Sequence, residues 1–298
     1  MKRLFLLSVM LTAVMAMQAQ MKVTPKMQQG MVKEYASVTN VTIPSQKDVN
    51  VKSDSKYTVT EVTPTGYVVD MMITDCSSDA TPDNIAGQLI SSSVELLKGI
   101  NIRVATNQDG KVERIVNYAE LKPAIEQMAD QLVDKMFQVV PQLSQAMKKE
   151  VLKEEMMRQL TEEQLLVSIT DATSVLALNG KTVMTGVQEE FVNDQGMKML
   201  RMYFVNGNKV TTNASMKMSK DELKTLIIAQ IEKLMPEQAE MIKQNIDQLI
   251  DSGMMKMDMK ETATYEMQDD GWVGVLTSDT TSDTMGQTSK SHTVVTAK

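Results

Sequence analysis

Methionine at every second position is the pattern in this sequence that most directly suggests chemistry. The stretch MMKMDMK contains Met255, Met257 and Met259, and ASMKMSK repeats the spacing at Met216 and Met218. Thioether sulfur is a soft ligand that selects Cu(I), and Met-x-Met on a strand directs two sulfurs to the same side. The sequence is therefore compatible with a Cu(I) site, although such sites usually recruit His or Cys as well.

The same spacing also describes one buried face of a β-strand. From Met255 the odd positions are mostly apolar as far as Met267, while the even positions are polar. This period of two is typical of a half-buried strand, and burial alone explains the methionines. Glu261 is an acid in the apolar register, and we expect a bulge or the sheet rim to accommodate it.

The abundance of methionine supports a third interpretation, an adaptable apolar cavity. Residues 1–19 hold four of the 28 methionines, so 24 remain after them, in a chain with four Phe and one Trp. Flexible thioether side chains adapt to varied apolar partners. The alternative is that this lineage uses Met where others use Leu or Phe.

Other residues give little support for catalysis. Cys76 is the single cysteine and His292 the single histidine. An intramolecular disulfide is thus impossible, and a Cys–His dyad would require two distant segments to meet. We expect the Cys76 thiol to be buried and inert. Because the phosphate-loop, G-x-S-x-G, H-E-x-x-H and C-x-x-C motifs are absent, we expect a non-enzymatic protein without a cofactor.

The N-terminal residues indicate export. Lys2 and Arg3 precede an uncharged apolar run, Leu4 to Met17, that is followed by small residues. This is the pattern of a secretory signal peptide, and the run is too short to span a bilayer. We expect residues 1–19 to be removed, with cleavage after Ala16 as the alternative.

Net charge argues against nucleic-acid binding, and hydropathy argues against a membrane-spanning helix. The formal charge is −7, and it becomes −9 without Lys2 and Arg3. An acidic chain without a long basic run is a poor nucleic-acid binder, because such binding relies on Lys and Arg at phosphates. No later stretch approaches the roughly 18 apolar residues of a membrane helix, so we expect a chain that does not span the membrane.

Turn signals predict an antiparallel sheet, because parallel strands would need long crossovers. The signals are Thr63–Gly66, Asn107–Gly110, Asn179–Gly180, Asn193–Gly196, Asn206–Gly207 and Gln268–Gly271. At Thr63–Gly66 we expect a type I turn that closes with a glycine bulge. We expect Tyr35–Ile43 to form an edge strand, and Thr277–Ser291 to be a long exposed loop.

Two regions have helical periodicity, and each contains a helix, a proline and a second helix. The first begins near Tyr118 and the second near Ser219. The segments AELKPAIEQMADQL and DELKTLIIAQIEKL align at an offset of 102 residues. The halves 56–170 and 181–298 are therefore either an internal duplication or two helices of similar generic composition.

These features together resemble a known architecture. The ending AMQAQ, the x-D-G turns, the strand and helix of GKVERIVNYAELKPAIEQM and the hairpin YEMQDDGWVGVLTSD resemble an uncharacterised exported protein family of Gram-negative bacteria. That family is similar to the LolA/LolB-like lipoprotein-carrier half-barrel, a curved antiparallel sheet with helices on its concave side. The resemblance implies a lipid-carrier role, a lipid or lipoprotein partner, and a periplasmic or extracellular location.

The sequence thus predicts an α+β fold, with a strongly curved antiparallel sheet packed against two helical hairpins. We expect a flexible segment at 20–33 and a single domain at 34–298. We expect an apolar ligand (a lipid, an acyl chain or a lipoprotein) between sheet and helices. The predicted lining residues are Met216, Met218, Ile227, Ile231, Met255, Met257 and Met259. The alternatives are a structural or protein-interaction component of the cell envelope with a filled core and, third, Cu(I) binding.

Overall fold

The computed structural model describes residues 19–298, apart from 82, 194–195, 235, 253–254, 256 and 285–286. Within these ranges the chain is an α+β protein with one large antiparallel sheet. The predicted signal peptide lies outside the described residues, except for Ala19. No helix in the described ranges is long and apolar enough to cross a membrane.

The strands alternate with helices along the chain. In chain order the strands are β1 (Gln20–Lys22), β2 (Val32–Thr42), β3 (Val49–Thr63), β4 (Gly66–Ser78), β5 (Asn101–Asn107), β6 (Val112–Ile115), β7 (Thr182–Met184), β8 (Gln188–Val192), β9 (Lys198–Asn206), β10 (Lys209–Met216), β11 (Met257–Met267), β12 (Val273–Thr284) and β13 (Gln287–Ala297). The helices are α1 (Ile85–Leu97), α2 (Tyr118–Val139), α3 (Leu143–Ala146), α4 (Lys149–Gln159), α5 (Glu162–Ile169), α6 (Lys220–Leu234) and α7 (Pro236–Asp251). Both predicted helical regions are present, whereas α1 was not predicted.

Eleven strands form one open sheet. Their spatial order is β6-β5-β4-β3-β2-β13-β12-β11-β10-β9-β8, and every neighbouring pair is antiparallel. In the described residues no ladder joins β6 to β8, so these two strands are the edges. The predicted edge strand lies instead at the centre, because β13 at the C-terminus pairs with β2. Strands β1 and β7 form a separate two-stranded sheet.

The two faces of the large sheet differ in burial. We call the face that carries Tyr35, Tyr265 and Leu276 the inner face, and all three side chains are buried. The opposite, outer face carries Asp279 and His292, which are exposed. Where helix residues share a cluster with buried side chains of the large sheet, those sheet side chains are on the inner face. The inner face therefore supplies the core, as period-2 patterning requires.

The main core lies between the inner face and the first helical region. Leu121 and Ile125 of α2 join it, together with Tyr35. Two buried tyrosine hydroxyls have partners there: Tyr35 Oη donates to the Val273 carbonyl at 3.0 Å, and Tyr265 Oη donates to the Ala172 carbonyl at 2.8 Å. The core is thus anchored by tyrosines whose polar tips reach backbone acceptors, which avoids an unpaired buried donor.

The N-terminal segment 20–33, expected to be flexible, is packed against the domain. Val23 is 2% exposed and Met27 is 6% exposed. Trp272, which is 1% exposed, donates its indole N–H to the Lys26 carbonyl at 3.0 Å. Sequence reasoning did not anticipate this packing, because the segment is short of apolar periodicity, although single apolar residues at the right positions are enough to dock it.

The predicted loop at Thr277–Ser291 is a β-hairpin formed by β12 and β13. Its residues alternate between small hydroxyl side chains on the inner face and polar side chains on the outer face. Ser278 on the inner face is 2% exposed, whereas Asp279 on the outer face is exposed. Hydropathy does not separate these two kinds of residue, which is why the stretch resembled a loop. Threonine is nevertheless a good strand former.

Glycine is needed at Gly66 for a reason other than the predicted bulge. Gly110, Gly196 and Gly271 have positive φ as expected for their turns, but Gly66 does not. Its neighbour is instead the adjacent strand β5, because a Cβ built on Gly66 would lie 1.8 Å from the Thr106 carbonyl oxygen. The absence of a side chain therefore permits close backbone approach.

Each of the two helical regions follows a β-hairpin in the chain. Hairpin β5–β6 precedes α2, and hairpin β9–β10 precedes α6. Helix α1, however, interrupts the first half between β4 and β5, and the second half has no counterpart of it before β9 among the described residues. The internal duplication stays a prediction.

We expect Gly66→Ala to destabilise the protein by roughly 3 kcal/mol or more, because the new methyl group would overlap a backbone oxygen that cannot move freely. The free energy of unfolding in urea, followed by circular dichroism, measures the change. Thr65→Ala in the same turn is the control, since Thr65 is exposed and should shift stability by less than about 0.5 kcal/mol. Equal stability of Gly66→Ala and wild type would contradict the close approach.

Candidate functional site

Methionines converge where strands β8 to β11 end beside α6. This methionine cluster consists of Met197, Met199, Met216, Met218, Met257 and Met259, packed with Ala214, Phe191 and Leu226. Met199 pairs with Met216 in the β9–β10 ladder. The β10–β11 register pairs Ser215 with Lys260, so Met259 lies beside Met216 at the next position. Three inner-face methionines therefore stand side by side on three neighbouring strands.

The concentration of methionine is local. Six of the nine residues in this cluster are methionine. Counted in the same way among the described residues, with partly buried neighbours included, the main core has 40 apolar residues of which six are methionine, and the core between α6 and α7 is built mainly from isoleucine. A general preference for Met over Leu would have enriched methionine in the main core and in the core between α6 and α7 as well. Methionine is thus enriched at this end of the sheet relative to the other two cores.

Part of the cluster lines an open groove. This methionine groove has a volume of about 590 Å³, and its apolar residues are Phe191, Val192, Met199, Met216 and Met218. Met199 is buried, whereas Met216 and Met218 are partly exposed. The volume is within the range of small-molecule sites, roughly 300–1,000 Å³. The groove is therefore large enough for an alkyl chain.

Charged residues on the groove rim neutralise one another. Lys217 pairs with Glu190, and Lys198 pairs with Glu222. The hydrogen bond from Lys198, with those from the Ser219 backbone and hydroxyl, lowers the pKa of Glu222 to about 2. Ser219 also begins α6 through the predicted capping box, since its hydroxyl accepts from the Glu222 N–H at 3.3 Å. The two cations and two anions of these pairs therefore give the rim no net formal charge above an apolar floor.

The structure places the predicted site residues in two adjoining groups. Met216 and Met218 line the groove, and Met257 and Met259 belong to the same cluster. Met255 packs against the core between α6 and α7.

The two predicted isoleucines lie inside the helical hairpin. Ile227 is 6% exposed and Ile231 is 7% exposed, and both belong to the core between α6 and α7. The helix face that carries them is therefore already covered by apolar side chains. Sequence reasoning did not select Phe191 or Met199, although the Met-x-Met spacing of GMKMLRM marks Met199 as an inner-face residue.

A buried ion pair lies beneath the groove. Arg201 and Glu261 are 5% and 6% exposed, and Arg201 Nη2 lies 3.6 Å from Glu261 Oε1. In the register both residues pair with Ala214 on the strand between them, whose small side chain lets the two long ones meet. Glu261 is therefore accommodated by a charge partner, and the expectation of a bulge or a rim position was wrong.

The arginine also supports the groove wall. The Arg201 guanidinium carbon lies 4.1 Å from the centroid of the Phe191 ring. Cation–π attraction of this kind is stronger when the cation is desolvated. Arg201 Nε is buried and has no hydrogen-bond partner in the described part of the chain. The guanidinium is thus held by Glu261 and by the aromatic face of Phe191.

A second polar group lies at the edge strand β8. Tyr203 Oη donates to Glu189, and Lys181 Nζ lies 3.3 Å from the Glu189 carboxylate. Burial alone would raise the pKa of Glu189, but the Tyr203 hydrogen bond and the charges of Lys181 and Arg201 lower it overall. Burial also lowers the pKa of Lys181. The carboxylate is therefore the ionised centre of this group.

The single cysteine and the single histidine lie on opposite faces of the sheet. Cys76 pairs with Ser53 on the inner face and is half-buried, so it is less covered than expected. His292 lies on the outer face, where its Nδ1 is 2.7 Å from Asp279 Oδ1. A Cys76–His292 dyad is thus excluded. Among the described residues, no three His, Cys, Asp or Glu side chains are grouped to hold a metal ion.

Replacing Arg201 alone should destabilise the protein, whereas replacing both members of the buried pair should not. We expect Arg201→Met to cost about 3–5 kcal/mol, because Glu261 would remain buried beside an apolar side chain. The double variant Arg201→Met/Glu261→Leu should be within about 1 kcal/mol of wild type or more stable. Urea unfolding measures all three proteins. Additive losses in the double variant would show that the two side chains do not interact.

Stability should depend on pH through Glu189. Its folded-state pKa lies below the ordinary 4.5, so its stabilisation is present above that value and is lost as the pH falls through the folded pKa. We expect Glu189→Gln to be less stable at pH 7 by roughly 1 kcal/mol, the upper range for a solvent-accessible ion pair. The difference should shrink progressively below pH 4.5. A constant difference in unfolding free energy from pH 7 to pH 3 would contradict this assignment.

Comparison with known proteins gives only remote likenesses. No family model and no curated protein matches the chain. A lipovitellin structure, titled for lipid–protein interactions, is similar over 92% of this chain and 25% of that chain, at 8% identity and TM-score 0.39. The S-type phycobiliprotein lyase CPES from Guillardia theta matches 89% of this chain and 86% of its own, at 7% identity and TM-score 0.21. A mutant Rh. blastica porin matches 90% and 99%, at 6% identity and TM-score 0.30. The chain spans about a quarter of the lipovitellin chain, and scores this low carry no argument about function.

Proposed function

We propose that this chain is an exported, non-enzymatic protein that binds an apolar ligand in the methionine groove. The ligand class is a lipid, a free acyl chain, or the acyl chain of a lipoprotein. One observation carries the proposal, namely that methionine is concentrated around an open groove while the closed cores are built from other apolar residues.

The chemistry of the lining fits an alkyl chain. Met216 and Met218 are only partly covered, so they would lose further water contact when a ligand binds. Each buried CH₂ group of a ligand contributes about 0.8 kcal/mol. Methionine has three rotatable bonds and adapts to ligands of different shape. Affinity in the groove thus depends mainly on the apolar surface that a ligand buries and little on the structure of its head group.

The groove occupies only part of the space in which we expected the ligand from the sequence. We expected a cavity between the sheet and the helices as a whole, but Ile227 and Ile231 already fill the helical hairpin. The proposed ligand therefore occupies the junction between β8–β10 and the start of α6. A strongly curved, half-barrel-like sheet of the lipoprotein-carrier kind would deepen this junction, and that curvature is part of the proposal.

The proposal predicts that polar substitutions in the groove weaken ligand binding. We expect the chain that begins at Gln20 to bind a fluorescent fatty acid, and Met216→Gln/Met218→Gln to bind it at least about tenfold more weakly, or about 1.4 kcal/mol. Glutamine matches methionine in length and differs in polarity. Displacement titration measures the dissociation constants.

Met241→Gln is the matched control, because Met241 is 63% exposed on α7 and lies outside the groove. It should bind the fatty acid like wild type. Native mass spectrometry of the protein from its own cells should show an acyl species that disappears in the double variant. A bare mass with no fatty-acid binding would favour the alternative, a structural or protein-interaction component of the envelope.

A further inference from the structure

We propose that Met199, Met216 and Met259 form a Cu(I) site within the methionine cluster. This goes beyond the binding of an apolar ligand, because it depends on sulfur as a ligand atom and not on apolar surface. Thioethers select Cu(I) among the biological metals. A set of neutral thioethers discriminates against Mg²⁺ and Ca²⁺, which take oxygen ligands.

The sheet positions the three side chains on one face at one level. Met199 and Met216 are directly paired, and the register of Ser215 with Lys260 places Met259 next to Met216. Neighbouring strands are about 4.8 Å apart, and opposite side chains start with Cβ atoms about 5 Å apart. Each methionine then has enough length and rotational freedom to direct its sulfur toward a common point. Three thioether ligands can therefore meet above the central strand β10.

Further contacts support Met259 as a ligand. The Asn193 side-chain amide lies 3.4 Å from Met259 Sδ, which restricts where that sulfur can point. Metal sites commonly have such supporting hydrogen bonds around their ligands. Met218 and Met257 belong to the same cluster and could supply a further sulfur.

An ion could reach this position and be protected there. Met216 and Met259 are partly exposed, while Met199 is 2% exposed. The open groove therefore gives the ion an entry path, and the Met199 side chain is already shielded from water. Phe191 and Leu226 pack against the cluster and exclude water from it, which favours a soft, weakly hydrated cation.

Methionine-to-leucine substitutions separate the two roles of the cluster. Leucine preserves apolar volume, with a typical stability change below about 1.5 kcal/mol, and removes the sulfur. We expect Met216→Leu/Met259→Leu to bind Cu(I) at least about tenfold more weakly than wild type. The same variant should unfold in urea within about 1.5 kcal/mol of wild type, which would show that the fold is retained. Met241→Leu is the control for both measurements.

The experiment is an anaerobic titration of the chain from Gln20 with Cu(I), in competition with a chromophoric Cu(I) chelator. Calorimetric titration with Ag(I), a redox-stable soft cation, repeats the test without a reductant. One tightly bound Cu(I) per chain, lost in the double leucine variant, would support the site. No stoichiometric binding by wild type, or equal binding by the folded double variant, would overturn it. Neither outcome bears on fatty-acid binding, because that interaction depends on apolar surface and not on sulfur as a ligand atom.

Discussion

The pairing of β2 with β13 is the contact on which the rest of the sheet depends. It joins the first half of the chain, β2 to β6, to the second half, β8 to β13. The ladder runs from Thr42 opposite Lys290 to Tyr35 opposite Ala297, and the hydroxyls of Thr39 and Thr293 lie 3.0 Å apart within it. Without this pairing the eleven strands would form two smaller sheets, each with a further open edge.

The continuous sheet allows one inner face to serve two purposes. Toward the turns that precede β10 and β12, that face carries Val210, Tyr265 and Leu276 in a closed core. Toward the opposite strand ends, it carries Met199, Met216 and Met259 beside α6. The Arg201–Glu261 pair lies between these regions along the strands. This buried charged pair therefore separates the closed core from the methionine cluster on the same face.

Much of this architecture was predictable from local patterns. Period-2 alternation predicted β11, and five of the six turn signals predicted hairpins, whereas Asn179–Gly180 precedes β7, which pairs with β1. The apolar stripe of Leu223, Ile227 and Ile231 predicted α6. The central position of β2 was not predictable, because its partner lies more than 240 residues away in sequence and nothing local encodes which strand returns. The hairpin β12–β13 was missed because Ser278 is buried without being hydrophobic.

The candidate site was predictable in kind but not in extent. The spacing of Met216, Met218, Met257 and Met259 predicted one shared face, and the structure brings all four together. The partner of Glu261 could not be found from sequence, since Arg201 is one of many basic residues and only the register across Ala214 brings them together. Likewise, whether Ile227 lines a cavity or a closed core depends on α7, whose docking no periodicity reveals.

The large sequence separation between β2 and β13 has a consequence for the order of folding. During synthesis from the N-terminus, β2 to β6 emerge long before β13, so the middle of the sheet is the last part that can form. Closing a loop of this length has a high entropic cost and slows folding. A chain that emerges vectorially would therefore stay incompletely folded until the eleven-residue strand Gln287–Ala297 is available.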